Sequence, residues 1–417
     1  MTGSSRVIDS PSHPEEMNLI PYGPEGLQVH LDEMSRRLAT PWQVCVIRAR
    51  QLENCDLPDG MIIDPACGAG LQLAALSNIL GKEALGVDID ESRAVMAANN
   101  QKLISDFLGQ QCNATIVAGD GTSATELMQL LSLENKFALF YFDPARPVGS
   151  TTHVLEEMNP RLNTILDTWK PYLKDGERGP ALVLDLSPRL SLERRSEVEQ
   201  LVDERWPGLD RTWQWASRGS GRIDRLSLWL GSAADPDNGR RFIRIPPDQF
   251  SSPLELKSPG HSIDEMAAEK KFPRKGDQLT ILDSALVSSG MASIWLDGVL
   301  QNEDRVDWQV ISGRRPIITH AEPLRFEHEL DSLLIQCSGA VVSLVRAPLD
   351  EENIEFIAEK AIECGFKKMT LRMTLPPDVH PTLQRSLDRI LSRSSGNKRG
   401  FITRTGTDEH LLLCMEE

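Results

Sequence analysis

No two of the seven cysteines stand in a C-x-x-C spacing, and the eight histidines do not cluster. A zinc site or other metal centre is therefore not expected. An odd, scattered set of thiols (Cys45, Cys55, Cys67, Cys112, Cys337, Cys364, Cys414) fits a reducing compartment and reads as lone, mostly buried thiols. No stretch offers the roughly 18 consecutive apolar residues of a membrane span. The opening residues, MTGSSRVIDSPSHPEEMN, lack the basic-then-apolar order of a secretory signal, which leaves the cytoplasm as the expected location. Positive charge is also in deficit. With 45 Lys and Arg against 61 Asp and Glu, the net charge of −16 argues against a nucleic-acid protein if the chain is taken whole.

What is present is a soluble globular composition, 40% hydrophobic and 25% charged, in a chain of 417 residues, long enough for two or three domains. Its charge is unevenly spread. From Lys360 to Arg404 ten basic residues face three acidic ones, a local +7 that leaves −23 on the remainder. A basic module on an acidic body is an electrostatic footprint for RNA, and equally the pattern of a solvated helix face.

Residues 1–30, rich in Pro, Ser and Gly, are expected to be poorly ordered. WQVCVIRARQL (42–52) has helical spacing. Beyond DLPDG, strands are expected at 61–64, 84–88, 115–119, 137–143 and 181–187, with helices between them such as 91–108, which Asp90 can cap. Short apolar strands alternating with helices indicate a doubly wound parallel sheet with its ligand at the strand carboxyl ends. After RLSLWLG (225–231) comes a turn-rich break, then short strands through 240–324 without an internal repeat. From 340 the pattern is regular again: strand, helix 351–365, strand, a helix marked by Leu383, Leu387, Ile390 and Leu391, and a hairpin around TGTD.

The stretch MIIDPACGAGLQLAAL (61–76) is a strand, a glycine turn and a helix. A dinucleotide fold wants G-x-G-x-x-G, whose third glycine lets helix and strand pack closely; here Leu73 follows Gly68 and Gly70. Asp64, four positions before Gly68, would repel a diphosphate. It suits a ligand bearing an amine and a sulfonium, with an attraction of about 1–4 kcal/mol for a partly screened pair. A nicotinamide oxidoreductase is thus the least favoured reading.

The D-x-x-x-G-x-G pattern resembles the first motif of class I S-adenosylmethionine (SAM) methyltransferases. Two further acidic strand ends follow in order. The resemblance implies that Asp88, in GVD, takes the ribose hydroxyls, since a carboxylate accepts two hydrogen bonds from a diol. It implies that Asp120, in AGDG, lies near the adenine amine. The cofactor set the resemblance implies is Asp64, Ala66, Cys67, Gly68, Gly70, Asp88, Ile89, Asp120 and Asp143. The fourth strand ends FDPARP, where methyltransferases of planar amino groups often carry N/D-P-P-Y/F/W. Asp143 and Pro144 are kept; Ala145 and Arg146 replace the proline and the aromatic. A guanidinium can stack on a base or pair with phosphate. Asp143 and Arg146 are the candidate catalytic residues, with Pro144, Arg146 and Ser187 facing substrate. RNA uracil-C5 enzymes share an acidic–Pro–Pro–Arg loop but need a cysteine nucleophile after the next strand, and VLDLSPRL (183–190) has none.

More fully, the chain resembles bacterial and archaeal class I SAM-dependent methyltransferases with a C-terminal THUMP-like domain. The motifs that carry this, in order, are TPWQVCVIRARQL, DPACGAG, GVDID, FDPAR, LSPRL, WQWASRGSGRIDRLSLWLG, LDSALVSSGMASIWL and RMTLPPD…GFITRTGTDEHLLLCM. The implied fold is α/β: a partly disordered, helical N-terminal segment (1–57), a Rossmann-like SAM-binding domain (58–235), a strand-rich connection (236–324) and an α+β THUMP-like domain (325–417). THUMP-like modules imply tRNA or rRNA as substrate, gripped by basic residues such as Arg372, Lys398 and Arg399. The chain departs from the family at Pro147 after Arg146, at Asp185 where a lysine is usual, and at Arg189 where a glycine is usual. These departures fall on the substrate side. A protein or small-molecule substrate, or a SAM- and RNA-binding module without catalysis, are the alternatives they leave open.

Overall fold

The computed structural model of the chain describes residues 5–8, 19–134, 136–145, 154–247, 252–261, 263, 272–300, 306–405 and 410–416. They fall into two compact units. The first comprises Met1–Gln214 with Arg225–Arg241; the second comprises Trp215–Asp224, Phe242–Pro247 and Ser251–Glu417.

In the first unit helix α1 (Trp42–Glu53) and strand β1 (Met61–Asp64) are followed by helix α2 (Leu71–Leu80) and strand β2 (Ala84–Asp88). Helix α3 (Glu91–Leu108) starts where Asp90 accepts the Arg93 N–H at 3.1 Å and stops at Gly109, whose φ of 66° suits a residue without Cβ. Further strands of its sheet are β3 (Ala114–Ala118), β4 (Phe137–Phe142), β5 (Gly179–Leu186), β6 (Arg211–Ser217), β7 (Arg225–Leu230) and β8 (Arg240–Arg244), of which β6 and β8 count in the first unit only up to Gln214 and from Arg240 to Arg241. Among these strands the order is β3-β2-β1-β4-β5-β7-β6-β8. The pairs from β3 to β5 are parallel, and β7 runs antiparallel against β5. Parallel strands covered on both faces need continuous apolar runs, and Ile62, Leu85, Val87, Leu139, Phe140 and Val183 are fully buried. The order reverses between β1 and β4, so a crevice opens at their carboxyl ends.

Residues 19–31 differ from the expectation of poor order. Leu19–Pro21 and Gln28–His30 form an antiparallel pair, because LQVHL alternates and buries Leu27, Val29 and Leu31. Asn100 of α3 clasps this pair, accepting the His30 N–H at 2.7 Å and donating to the His30 carbonyl at 3.0 Å. Arg6–Val7 adds an antiparallel edge to β3.

The second unit is built on a seven-stranded sheet. Its strands are β9 (Gln278–Leu282), β10 (Asp307–Val310), β11 (Ile317–His320), β12 (Ile335–Arg346), β13 (Phe366–Leu371), β14 (Lys398–Thr403) and β15 (His410–Glu416), in the order β10-β11-β9-β12-β15-β14-β13. Helices α4 (Ile354–Glu363) and α5 (Val379–Leu391) bury Ile357, Ala361, Leu383 and Leu387 in one core with Met369, Leu371, Ile402 and Leu413. The boundary drawn at 324 falls between β11 and β12 of this one sheet. The strands of 278–320 pair directly with the C-terminal ones, β9 lying against β12.

Candidate functional site

β1 delivers Asp64 to the crevice with 2% of its surface exposed, its Oδ1 accepting the Ala66 N–H at 3.1 Å. The chain then turns through Gly68 and Gly70, both left-handed at φ 55° and 73°. The two glycines serve different ends. A Cβ on Gly70 would strike Gln101 Nε2 at 2.7 Å and Ala97 Cβ at 2.9 Å, whereas a Cβ on Gly68 would meet nothing within 4 Å. Gly70 is small so that α3 can approach; Gly68 leaves the front of the loop open. Cys67 is buried, its N–H donating to the Val87 carbonyl at 2.9 Å.

Asp88 ends β2 and ties the loop to it. Its Oδ2 accepts the Gly68 N–H at 3.0 Å and its Oδ1 the Asp90 N–H at 2.9 Å. Each oxygen retains one lone pair, enough for a diol. Ile89 beside it is 68% exposed. Past β3, Asp120 Oδ1 accepts from the Thr122 N–H at 2.8 Å and hydroxyl at 2.7 Å. Gly121 lets the strand ends meet: a Cβ there would lie 1.9 Å from the Pro65 carbonyl. Three acidic strand ends thus border one loop.

Burial raises Asp64 well above the usual carboxylate range, against the Ala66 hydrogen bond, and the negative fields of Asp143, Asp88 and Asp185 add to the rise. Asp88 is raised too, chiefly by burial, although two backbone hydrogen bonds oppose it. The Cys67 thiol is pushed well up, by burial and then by Asp64 and Asp88, so it carries no reactive thiolate. Carboxylates held in this condition are complementary to a cationic ligand.

Beneath the crevice lies a buried ion network. Arg48 of α1, 2% exposed, donates to Asp185 Oδ1 at 2.7 Å, Gln72 Oε1 at 2.9 Å, Tyr141 OH at 3.0 Å and Ser227 Oγ at 3.1 Å. Tyr141 OH donates to Asp185 Oδ2 at 2.9 Å. Arg225 approaches the same oxygen at 3.5 Å and reaches Asp143 Oδ2 at 3.7 Å. Burial works against the charge of Arg48 and of Arg225, but their carboxylate neighbours outweigh it and raise both. The Cys45 thiol in this layer is pushed up to about 12, first by burial.

No protein-family model matches the sequence, and no curated protein does. Solved structures align with part of it. A SAM-dependent methyltransferase from Agrobacterium tumefaciens matches over 54% of this chain and 72% of that one, at 16% identity and a TM-score of 0.34. An rRNA methylase from Streptococcus thermophilus matches over 45% and 96%, at 11% identity and a TM-score of 0.31. A Listeria monocytogenes protein is covered over only 61% of its own length, under two thirds, at 17% identity and a TM-score of 0.33. Likeness this shallow settles neither substrate nor chemistry, and the residues must carry both.

Of the residues singled out from sequence, Asp64, Ala66, Cys67, Gly68, Gly70, Asp88, Ile89 and Asp120 lie on the loop or the strand ends beside it. Asp143 follows β4, and Pro144 is buried next to it. Arg146 lies outside the described residues, as does Pro147. Ser187 is 2% exposed and its hydroxyl accepts the Arg189 N–H at 3.2 Å, shaping the turn after β5. Arg372, Lys398 and Arg399 belong to the second unit. Lys398 donates to the Cys364 carbonyl at 3.0 Å, and Arg399 pairs in register with Lys368 on the neighbouring strand. Asp185 differs from expectation. At 1% exposure and bonded to Arg48 it is held in the interior and belongs to the support of the site. Sequence reading missed Arg48, Tyr141 and Arg225. Arg48 left a signal, a charge on the face of α1 that buries Val44, Cys45, Ala49 and Leu52. Among the described residues no group of His, Cys, Asp or Glu could hold a metal ion, and no helix is long and apolar enough to cross a membrane.

Proposed function

We propose that this chain is a SAM-dependent methyltransferase acting on a base in tRNA or rRNA, with the C-terminal THUMP-like unit assisting RNA binding. The observation that carries the reading is the loop opening at Gly68 between buried, pKa-raised carboxylates at Asp64 and Asp88. A cation bearing a nucleoside fits those acceptors, and a diphosphate does not. Asp64 would take the ammonium end, Asp88 the ribose diol and Asp120 the adenine amine. When bound, the cofactor supplies an electrophilic methyl group. The chain's part is to bind, align and exclude water, which this transfer needs more than a strong base. Asp143, ending β4 beside Asp64, would accept a hydrogen bond from the target amine, and Arg146 would meet the base or its phosphate. Basic residues at Lys368, Lys398, Arg399 and Arg372 support an RNA-binding role for the second unit.

The test is incubation with tritiated SAM and total RNA from a strain lacking the gene, followed by nucleoside mass spectrometry. Label in one modified nucleoside is expected. Label in protein and none in RNA would overturn the RNA reading.

A further inference from the structure

Asp143 stands among like charges. Its charge, with those of Asp88 and Asp185, acts on Asp64 at the end of β1, and Asp143 and Asp185 together act on the neutral ionisable groups Tyr141 and Cys45. Among the described residues, Arg48 and Arg225 bring positive charge to this cluster. Arg48 is committed to Asp185, Gln72, Tyr141 and Ser227 deep below. Arg225 reaches both Asp185 and Asp143, and its Nη2 is fixed from the other side by Thr40 Oγ1 at 2.6 Å and the Leu38 carbonyl at 3.3 Å. The pair lies at the mouth of the network, where the Arg225 and Asp143 side chains are 20% and 37% exposed.

We propose that Arg225 is a positioning residue that keeps the Asp143 carboxylate charged and aimed at the target group. This role rests on the methyltransferase reading; the ionic support itself does not. Only the ionised carboxylate offers both oxygens as acceptors to an amino group. Without the guanidinium, a carboxylate among like charges takes up a proton more readily. Arg225 comes from the start of β7 and Asp143 from the end of β4, so the pair also locks the two strand ends beside the glycine loop.

The full chain labelled with 13C-aspartate, with the Asp143 carboxyl signal assigned by its loss in Asp143→Asn, reads this directly between pH 5 and 8. In the unmodified protein the signal stays at its ionised position throughout. In Arg225→Gln its midpoint moves up into the window. Arg225→Lys, which keeps the charge, restores the ionised position. Titration of the unmodified protein in the window would overturn the inference even if Arg225→Gln did not fold. So would an Arg225→Gln signal that stays ionised. Calorimetric titration with S-adenosylhomocysteine separates the two claims: no binding alongside a charged Asp143 strikes the methyltransferase reading and leaves the pairing.

Discussion

Asp64 is where stability and binding oppose one another. Its pKa in the folded protein is raised, first by burial, while in the unfolded chain it is ordinary. Between those two values the folded state binds more protons than the unfolded one, so stability falls as pH rises through the window. The destabilisation is therefore present at pH 7 and absent below the ordinary carboxylate range. Asp64→Asn keeps an oxygen for the Ala66 N–H and removes the charge. It should raise the thermal midpoint at pH 7, with the gain shrinking as pH approaches 4, and weaken S-adenosylhomocysteine binding tenfold or more, about 1.4 kcal/mol. An unchanged midpoint with unchanged affinity would show that Asp64 carries no uncompensated charge. Asp88→Asn tests the neighbouring oxygen pair. One amide oxygen can still cap a backbone N–H, but the other position becomes a donor, so the loop and the diol both lose an acceptor. Loss of cofactor affinity by about 1–3 kcal/mol in calorimetry is expected.

At the scale of elements, the glycine loop and α1 make separate predictions. Gly68→Ala adds a methyl to open space in a left-handed residue, costing about 1–2 kcal/mol of stability while closing the front of the loop to ligand. Gly70→Ala carries the same backbone strain and a collision with α3. Thermal denaturation should show the larger loss at Gly70, and S-adenosylhomocysteine titration should show binding lost at Gly68 despite a folded protein. For α1, removing one side of the Arg48–Asp185 pair strands a buried charge, and Asp185→Asn should destabilise by about 3–5 kcal/mol. Arg48→Met together with Asp185→Leu should lose less than the sum of the singles, which denaturant titration of all four proteins would measure. These elements also show what could be read from sequence. The parallel strands of the first sheet were legible because both-face burial demands unbroken apolar runs, and the start and end of α3 because Asp90 and Gly109 do local work. The acidic strand ends were legible because they repeat in chain order. The Arg48 network was not. Its members lie up to 179 positions apart, and no local pattern specifies which charge on one element answers a charge on another. Asp185 therefore looked like a lost lysine. For the same reason the antiparallel placement of β7, which delivers Arg225 beside Asp143, had no sequence signature.

Across the whole molecule, charge divides the labour the chain is proposed to perform. The crevice of the first unit is acidic and complementary to a small cation, whereas an RNA backbone would be repelled by it. A polyanion must then be held by cations elsewhere, and the Lys360–Arg404 window is where the sequence concentrates them. Within that window the roles differ. Lys360 pairs with Glu363 at 2.8 Å and Lys398 is tied to the Cys364 carbonyl, so part of the +7 is used inside the unit. Lys367, Lys368 and Arg399 stand exposed on β13 and β14. Lysines on an edge strand such as β13 also deter edge-to-edge aggregation, and that role predicts no dependence on RNA. Bulk tRNA distinguishes the two. If the strand binds phosphate, the affinity falls with salt, and Lys368→Gln with Arg399→Gln lowers the slope of log K against log salt by about one per contact removed, or slightly less. Fluorescence anisotropy with labelled tRNA between 50 and 200 mM salt measures it. A slope unchanged in the double variant, in a protein that still binds tRNA, would move the RNA contact off these strands. A chain with no salt-dependent tRNA binding at all would return the substrate to a protein or small molecule while leaving the cofactor crevice as it stands.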